Sequence, residues 1–233
     1  MMTPLTWLDS DTPAFPDTNT ALTYPDGLLA AGGQLSPEWL IHAYTRGIFP
    51  WFSEGEPILW WSPSPRTVIP IDRLHVSKSL KKVIRKQAFH ITFDHAFTEV
   101  VEACAEPRTN YPEDGTWITE DILNAYHALH QLGHAHSVEV WHNEQLVGGI
   151  YGVALGKMFF GESMFSRQSN SSKIALFYLA EQLKQWQYVA IDCQVHNNHL
   201  ESMGAIQMPR PTFETLLQQH VVNTPCHWNR QKT

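Results

Sequence analysis

The stretch Met158-Phe159-Phe160-Gly161-Glu162-Ser163-Met164-Phe165-Ser166-Arg167, taken with Ile191-Asp192-Cys193-Gln194 further on, decides the fold. Both segments read as apolar strands that end by presenting polar or charged groups. The segment between them, from about Lys173 to Trp186, reads as a helix, so the three make a strand-helix-strand unit. Upstream, Ser137-Val138-Glu139-Val140-Trp141 alternates, His142-Asn143-Glu144 turns, Gln145 to Leu155 returns and Gly156-Lys157 turns again: an antiparallel meander that feeds the unit. Gly148, Gly149 and Gly152 are more glycine than ordinary packing asks of a strand, and predict a bulge or a close approach of ligand backbone. A carboxylate, Glu162, and an amide, Gln194, arriving on neighbouring strands beside aromatic side chains suit a small cationic or amino group.

A meander, a crossover helix and a further strand, Val189 to Asp192, expected parallel to its predecessor, resemble an acyltransferase of the GNAT kind. Ordinary members hold the coenzyme A pyrophosphate on glycine-rich backbone amides in an Arg-x-x-Gly-x-Gly/Ala pattern. Here the loop reads Arg167-Gln168-Ser169-Asn170-Ser171-Ser172, with no glycine where the diphosphate needs close backbone approach. An acyl-CoA donor is disfavoured and no cofactor is expected.

With 233 residues, 43% of them hydrophobic, the chain can bury a proper core as one large or two small domains. Cys104, Cys193 and Cys226 are too scattered for a disulfide framework or a zinc motif; Cys104 and Cys193 read as core residues. With no signal peptide or long apolar run, a reducing, cytoplasmic setting without membrane contact is expected. His134 with His136, and His196 with His199, have ligand spacing, but no Cys or carboxylate pattern closes a site, so no metal is expected. The net charge of -7 argues against indiscriminate binding to nucleic acid. Its distribution is nevertheless uneven: Arg66, Arg73, Lys78, Lys81, Lys82, Arg85 and Lys86 share one segment with a single acid, Asp72.

Toward the N-terminus, the residues through about Phe15 lack periodicity and are expected to cross the surface. Pro25-Asp26-Gly27 turns; Ser36 caps a helix with Pro37 at its first position, running to Arg46 and stopping at Gly47. Between Ile48 and Pro63, aromatics alternate with prolines, which excludes central strands throughout. Trp60 and Trp61, inside an apolar run, read as core; Trp51, between Pro50 and Phe52, can face a cleft and stack on a base. Ser77 caps a helix to about Lys86 on which Lys78, Lys81, Lys82 and Arg85 share one face, either a solvated surface or a landing strip for phosphates. His90 to Phe93 reads as a strand, Asp94 as the cap of a helix that buries Phe97, Val100, Val101 and Cys104. A polar loop from Glu106 to Gly115 reads as mobile, leading to Trp117 at a cleft wall and a helix opened by Thr119, Glu120 and Asp121.

Together, Pro25-Asp26-Gly27-Leu28-Leu29-Ala30, Gly33-x-Leu35-Ser36-Pro37, Arg46-Gly47-Ile48-Phe49-Pro50-Trp51-Phe52, Trp60-Trp61-Ser62-Pro63, Gly115-Thr116-Trp117-Ile118-Thr119, Gly133-His134-Ala135-His136-Ser137-Val138-Glu139, Gly161-Glu162-Ser163-Met164-Phe165-Ser166 and Ile191-Asp192-Cys193-Gln194 resemble the leucyl/phenylalanyl-tRNA-protein transferases. The resemblance runs from about Phe15 to about Arg210. It implies an α+β (mixed α/β) protein with a small N-terminal domain, residues 1–65, and a GNAT-like acyltransferase domain with a mixed sheet, residues 66–233. It also implies an enzyme of the bacterial N-end rule, moving Leu or Phe, with Met a further candidate, from aminoacyl-tRNA to the N-terminal Arg or Lys of a protein.

By the same resemblance Trp51 and Trp117 hold the terminal adenosine, and Ile150, Phe159, Leu179 and Ile191 form the pocket for the donor side chain. Arg66, Lys78, Lys81, Lys82 and Arg85 are the residues expected on the tRNA backbone. Asp192 and Gln194, two apart on a strand, are expected on one face. The resemblance makes Gln194 the partner of the attacking amine, with Asp192 polarising it or collecting its proton; in a second account the 2′-hydroxyl of the adenosine shuttles the proton and Asp192 is only electrostatic. Glu162 would meet the cationic first residue of the acceptor. The rivals are a non-catalytic RNA-binding module and a GNAT-type enzyme using a small thioester donor.

Overall fold

The computed structural model describes residues 5–106, 117–221 and Trp228. Apart from Glu106, the polar loop expected to be mobile lies outside them, as does Cys226. The N-terminal part builds a four-stranded sheet. Strand β1 (Thr6–Leu8) pairs in parallel with β2 (Leu28–Gly32), and helix α1 (Pro37–Thr45) leads into β3 (Phe49–Pro50) and β4 (Leu59–Trp61), giving the order β1-β2-β4-β3. The expectation that the chain before Phe15 only crosses the surface is therefore corrected: three short residues add an edge strand, too brief for any periodicity to show. The prolines keep β3 at the other edge, as their missing N–H groups require. Ser36 Oγ accepts from the Trp39 N–H, 3.4 Å, with Pro37 at the first helical position.

The remaining chain supplies β5 (Arg66–Pro70), α2 (Lys78–Arg85), β6 (His90–Phe93), α3 (Phe97–Ala105), α4 (Glu120–Gln131), β7 (Ala135–His142), β8 (Gln145–Leu155), β9 (Met158–Ser166), α5 (Ser171–Gln185), β10 (Ala190–Gln194), α6 (Asn198–Ser202), β11 (Ile206–Met208) and α7 (Arg210–His220). Seven strands form a mixed sheet in the order β11-β5-β10-β9-β8-β7-β6. The meander β7-β8-β9, the crossover helix α5 and β10 running parallel to β9 stand in the expected order. Ser77 and Thr119 cap α2 and α4 through their hydroxyls. Asp94 is no cap: α3 starts after Ala96, and the Asp94 carboxylate instead takes the Ser137 N–H at 3.0 Å.

One apolar cluster joins Trp39 of α1 and Trp60 and Phe49 of the N-terminal sheet to Val68, Tyr151, Phe160 and Phe213, so the two sheets share a core. A second, with Ile150, Phe159, Leu176, Leu179 and Ile191, fills the space under α5. The strand glycines answer to packing as well as to a bulge. A side chain at Gly148 would overlap Ser171, and one at Gly152 would overlap the Phe160 carbonyl oxygen, where β8 and β9 slip register. Among the described residues no helix is long and apolar enough to cross a membrane.

Candidate active site

Strands β9 and β10 pair only as far as Phe160 and Asp192. Beyond that point each carries a bulge. On β9, Tyr151 faces Ser163 and Gly152 faces Gly161, so Glu162 is the extra residue. On β10, Asp192 faces Val68 and Gln194 faces Thr67, so Cys193 is the extra residue. A bulge bends its strand and re-aims a side chain; these two open a cavity of about 300 Å³ between strands that no longer hydrogen-bond to each other. Trp51, Trp117, Ile150, Glu162, Ile191 and Gln194 all line it, as expected from the sequence.

Phe159 and Leu179 do not. They are 1% and 0% exposed and back the pocket from within the α5 core. The pocket wall also includes Met164, Leu176 and Leu200, and Cys193, which packs against the α5 core as expected. Burial pushes the Cys193 thiol up, and the Asp192 charge adds to this, so it is not a thiolate nucleophile. Sequence reasoning missed Leu200 because α6 carries no periodic signal in five residues. Trp51 is 47% exposed, 5.6 Å from the Trp61 ring, and its carbonyl accepts from the Trp61 indole N–H at 2.6 Å.

The carboxyl of Glu162 is held by three donors. Tyr44 Oη of α1 donates to Oε1 at 2.7 Å, Tyr126 Oη of α4 to Oε2 at 2.8 Å, and Gln194 Nε2 to Oε1 at 2.9 Å. The two phenol oxygens also touch, at 2.5 Å. Burial, with the Glu162 charge adding to it, pushes both phenols well up, so they stay donors. Burial likewise raises the Glu162 carboxyl to about 7, against the lowering effect of those two phenols. Neither tyrosine was singled out from the sequence.

Asp192 and Gln194 do not share a face, since the bulge at Cys193 breaks the two-residue period. Asp192 is 0% exposed and lies behind the cavity, paired with Arg66: Nε to Oδ1 at 2.8 Å and Nη2 to Oδ2 at 2.6 Å. This corrects the placement of Arg66 on a tRNA backbone. It is 1% exposed, with its guanidinium 4.8 Å from the ring centroids of both Phe49 and Phe213. Lys78, Lys81, Lys82 and Arg85 do face solvent, while Leu80, Val83 and Ile84 pack α2 onto the α5 core. None of the ion pairs found among the described residues uses those four cations.

Ligand atoms of Asp94, His130 and His136 lie within 4.8 Å of one another. They are already engaged: His136 Nδ1 with Asp94 at 2.8 Å and Nε2 with the Gly133 carbonyl at 3.0 Å, His130 Nδ1 with the Ala135 carbonyl at 2.8 Å. Trp228 stacks on His136 at 4.0 Å and donates to Asp94. The group reads as hydrogen-bonded packing.

Two family models match the chain. One, described as leucyl/phenylalanyl-tRNA protein transferase, covers residues 68–218, and the other, the N-terminal domain of that family, covers 33–64. A leucyl/phenylalanyl-tRNA--protein transferase of Pseudomonas fluorescens (strain SBW25) is 57% identical over 217 residues, which are 93% of this chain and 95% of that one. The protein of the same name from Cellvibrio japonicus is 52% identical over 226 residues, 96% and 95% of the two chains. Among solved structures, an acetyltransferase of the GNAT family from Staphylococcus aureus Mu50 is similar at a TM-score of 0.36 and 20% identity, over 45% of this chain and 71% of that one. On the strength of the two family models and the two relatives, the chain belongs to the leucyl/phenylalanyl-tRNA protein transferase family.

Proposed function

We propose that the protein transfers Leu or Phe from aminoacyl-tRNA to the N-terminal Arg or Lys of acceptor proteins, forming a peptide bond and creating a degradation signal of the N-end rule. The observation that carries this reading is the cavity itself: tryptophans and aliphatic side chains in its wall, and the Glu162 carboxyl hydrogen-bonded to the Gln194 amide between diverging strands. Trp51 and Trp117 suit stacking on the terminal adenosine. Ile150, Leu176 and Ile191, backed by Phe159 and Leu179, suit the donor side chain. The exposed cations of α2 suit phosphates, and Glu162 suits a guanidinium or ammonium group. We place the reaction in the cytoplasm.

The chemistry asks for little, because an aminoacyl ester is already activated. The α-amine of the acceptor attacks the ester carbonyl; a C–N bond forms, the ester C–O bond breaks, the amine loses a proton and the 3′-oxygen of the adenosine gains one. What the protein supplies is orientation and a polar lining for the developing charge. The thioester alternative is disfavoured by the loop after Arg167. There Ser171, wholly buried, bonds the Val147 and Gln168 carbonyls at 2.7 Å each and takes up the space beside Gly148. Gln194→Ala tests the catalytic reading against a purely RNA-binding one: transfer from Leu-tRNA to an Arg-initiated peptide falls by about 100-fold, to a residual rate that is still measurable, while tRNA affinity in a filter-binding assay is kept. Undiminished transfer by that variant overturns the assignment.

A further inference from the structure

We propose that Arg66 is a positioning residue for peptide-bond formation, acting through Asp192 to hold the Gln194 backbone in the conformation that turns its amide into the cavity. The proposal rests on the transferase reading above. The contacts form one directed chain. Phe49 and Phe213 flank the guanidinium, each ring centroid 4.8 Å away, which fixes its plane. The guanidinium grips both oxygens of Asp192, and Asp192 Oδ1 also accepts the Gln194 backbone N–H at 2.9 Å, closing a turn across the bulge. Gln194 sits at φ 63°, a left-handed conformation that a side chain such as glutamine rarely adopts without an anchor. Its amide then reaches Glu162 at 2.9 Å.

Stability alone is a poor account of this arrangement. A buried ion pair is costly to desolvate, and apolar residues of similar volume often serve as well. Here Arg66 Nη1 is in addition buried with no hydrogen-bond partner among the described residues. Asp192, with both oxygens occupied and no exposed surface, is not placed to collect a proton from an amine in the cavity. Its charge holds Gln194, which favours the account in which the proton leaves by another route.

The test uses the full-length enzyme, Leu-tRNA and an Arg-initiated peptide, with thermal unfolding measured beside kinetics. Arg66→Lys keeps the charge and loses the bidentate grip. The expected result is a kcat lower by about 100-fold, the scale of a reacting group displaced by about an ångström, with KM for Leu-tRNA unchanged. In a Gln194→Ala background the same substitution costs no further rate, because its effect passes through Gln194. Should Arg66→Lys not fold, Arg66→Met with Asp192→Asn removes both charges at similar volume and is expected to fold and to lose the same rate. Wild-type kcat in either variant, or an equal additional loss in the Gln194→Ala background, overturns the proposal. If the wild-type protein itself transfers nothing, the transferase reading has failed and this proposal falls with it.

Discussion

Glu162 is the residue at which geometry and charge are most tightly joined. Its carboxyl is raised by burial from 4.5 to about 7. Because the folded value lies above the unfolded one, the group favours the folded state fully below about 4.5; that contribution falls as pH rises and is gone above about 7. The shift corresponds to about 3 kcal/mol at most. In urea unfolding from pH 4.5 to 8, wild type is thus expected to lose about that much stability relative to Glu162→Gln, which cannot ionise. A difference independent of pH contradicts the assignment. At this scale the places of Glu162, Gln194, Trp51 and Trp117 on the wall of one cavity were legible, since polar groups at strand ends and aromatics in turns are visible locally. Arg66 was misread. It stands in a basic segment, and nothing near it in sequence shows that its strand lies beside β10, where Asp192 waits. Tyr44 and Tyr126 were not singled out for a related reason: only the packing of α1 and α4 brings their hydroxyls to one carboxyl.

At the scale of elements, the site is made by two bulges on neighbouring strands. Glycines announced the first, at Tyr151 and Gly152; no residue type announced the second, at Cys193, so the expected alternation of Asp192 and Gln194 failed there. Helix caps at Ser36, Ser77 and Thr119 were legible because their chemistry is local, whereas β1, β5 and β11 were not, being short strands fixed by their partners. Helix α2 is amphipathic in a readable way, with its cations outward. If that face meets phosphates, the Lys81, Lys82 and Arg85 triple alanine variant lowers the slope of log affinity for tRNA against log salt by about 2 to 3. An unchanged slope makes α2 a solvated surface only.

For the whole molecule, the meander-crossover-strand order was legible because each step depends on neighbouring residues, and the shared core of the two sheets was not, because it depends on contacts between distant ones. That shared core matters for function: it brings Trp51 and Tyr44 from the N-terminal part to the gap between β9 and β10. On the proposed reading, one cavity recognises both an apolar donor side chain and a cationic acceptor. The most direct measurement is therefore the mass of a synthetic peptide after incubation with the protein and Leu-tRNA. A peptide beginning with Arg is predicted to gain one leucyl residue at its N-terminus while an otherwise identical peptide beginning with Ala gains none; no gain on the Arg peptide contradicts the account.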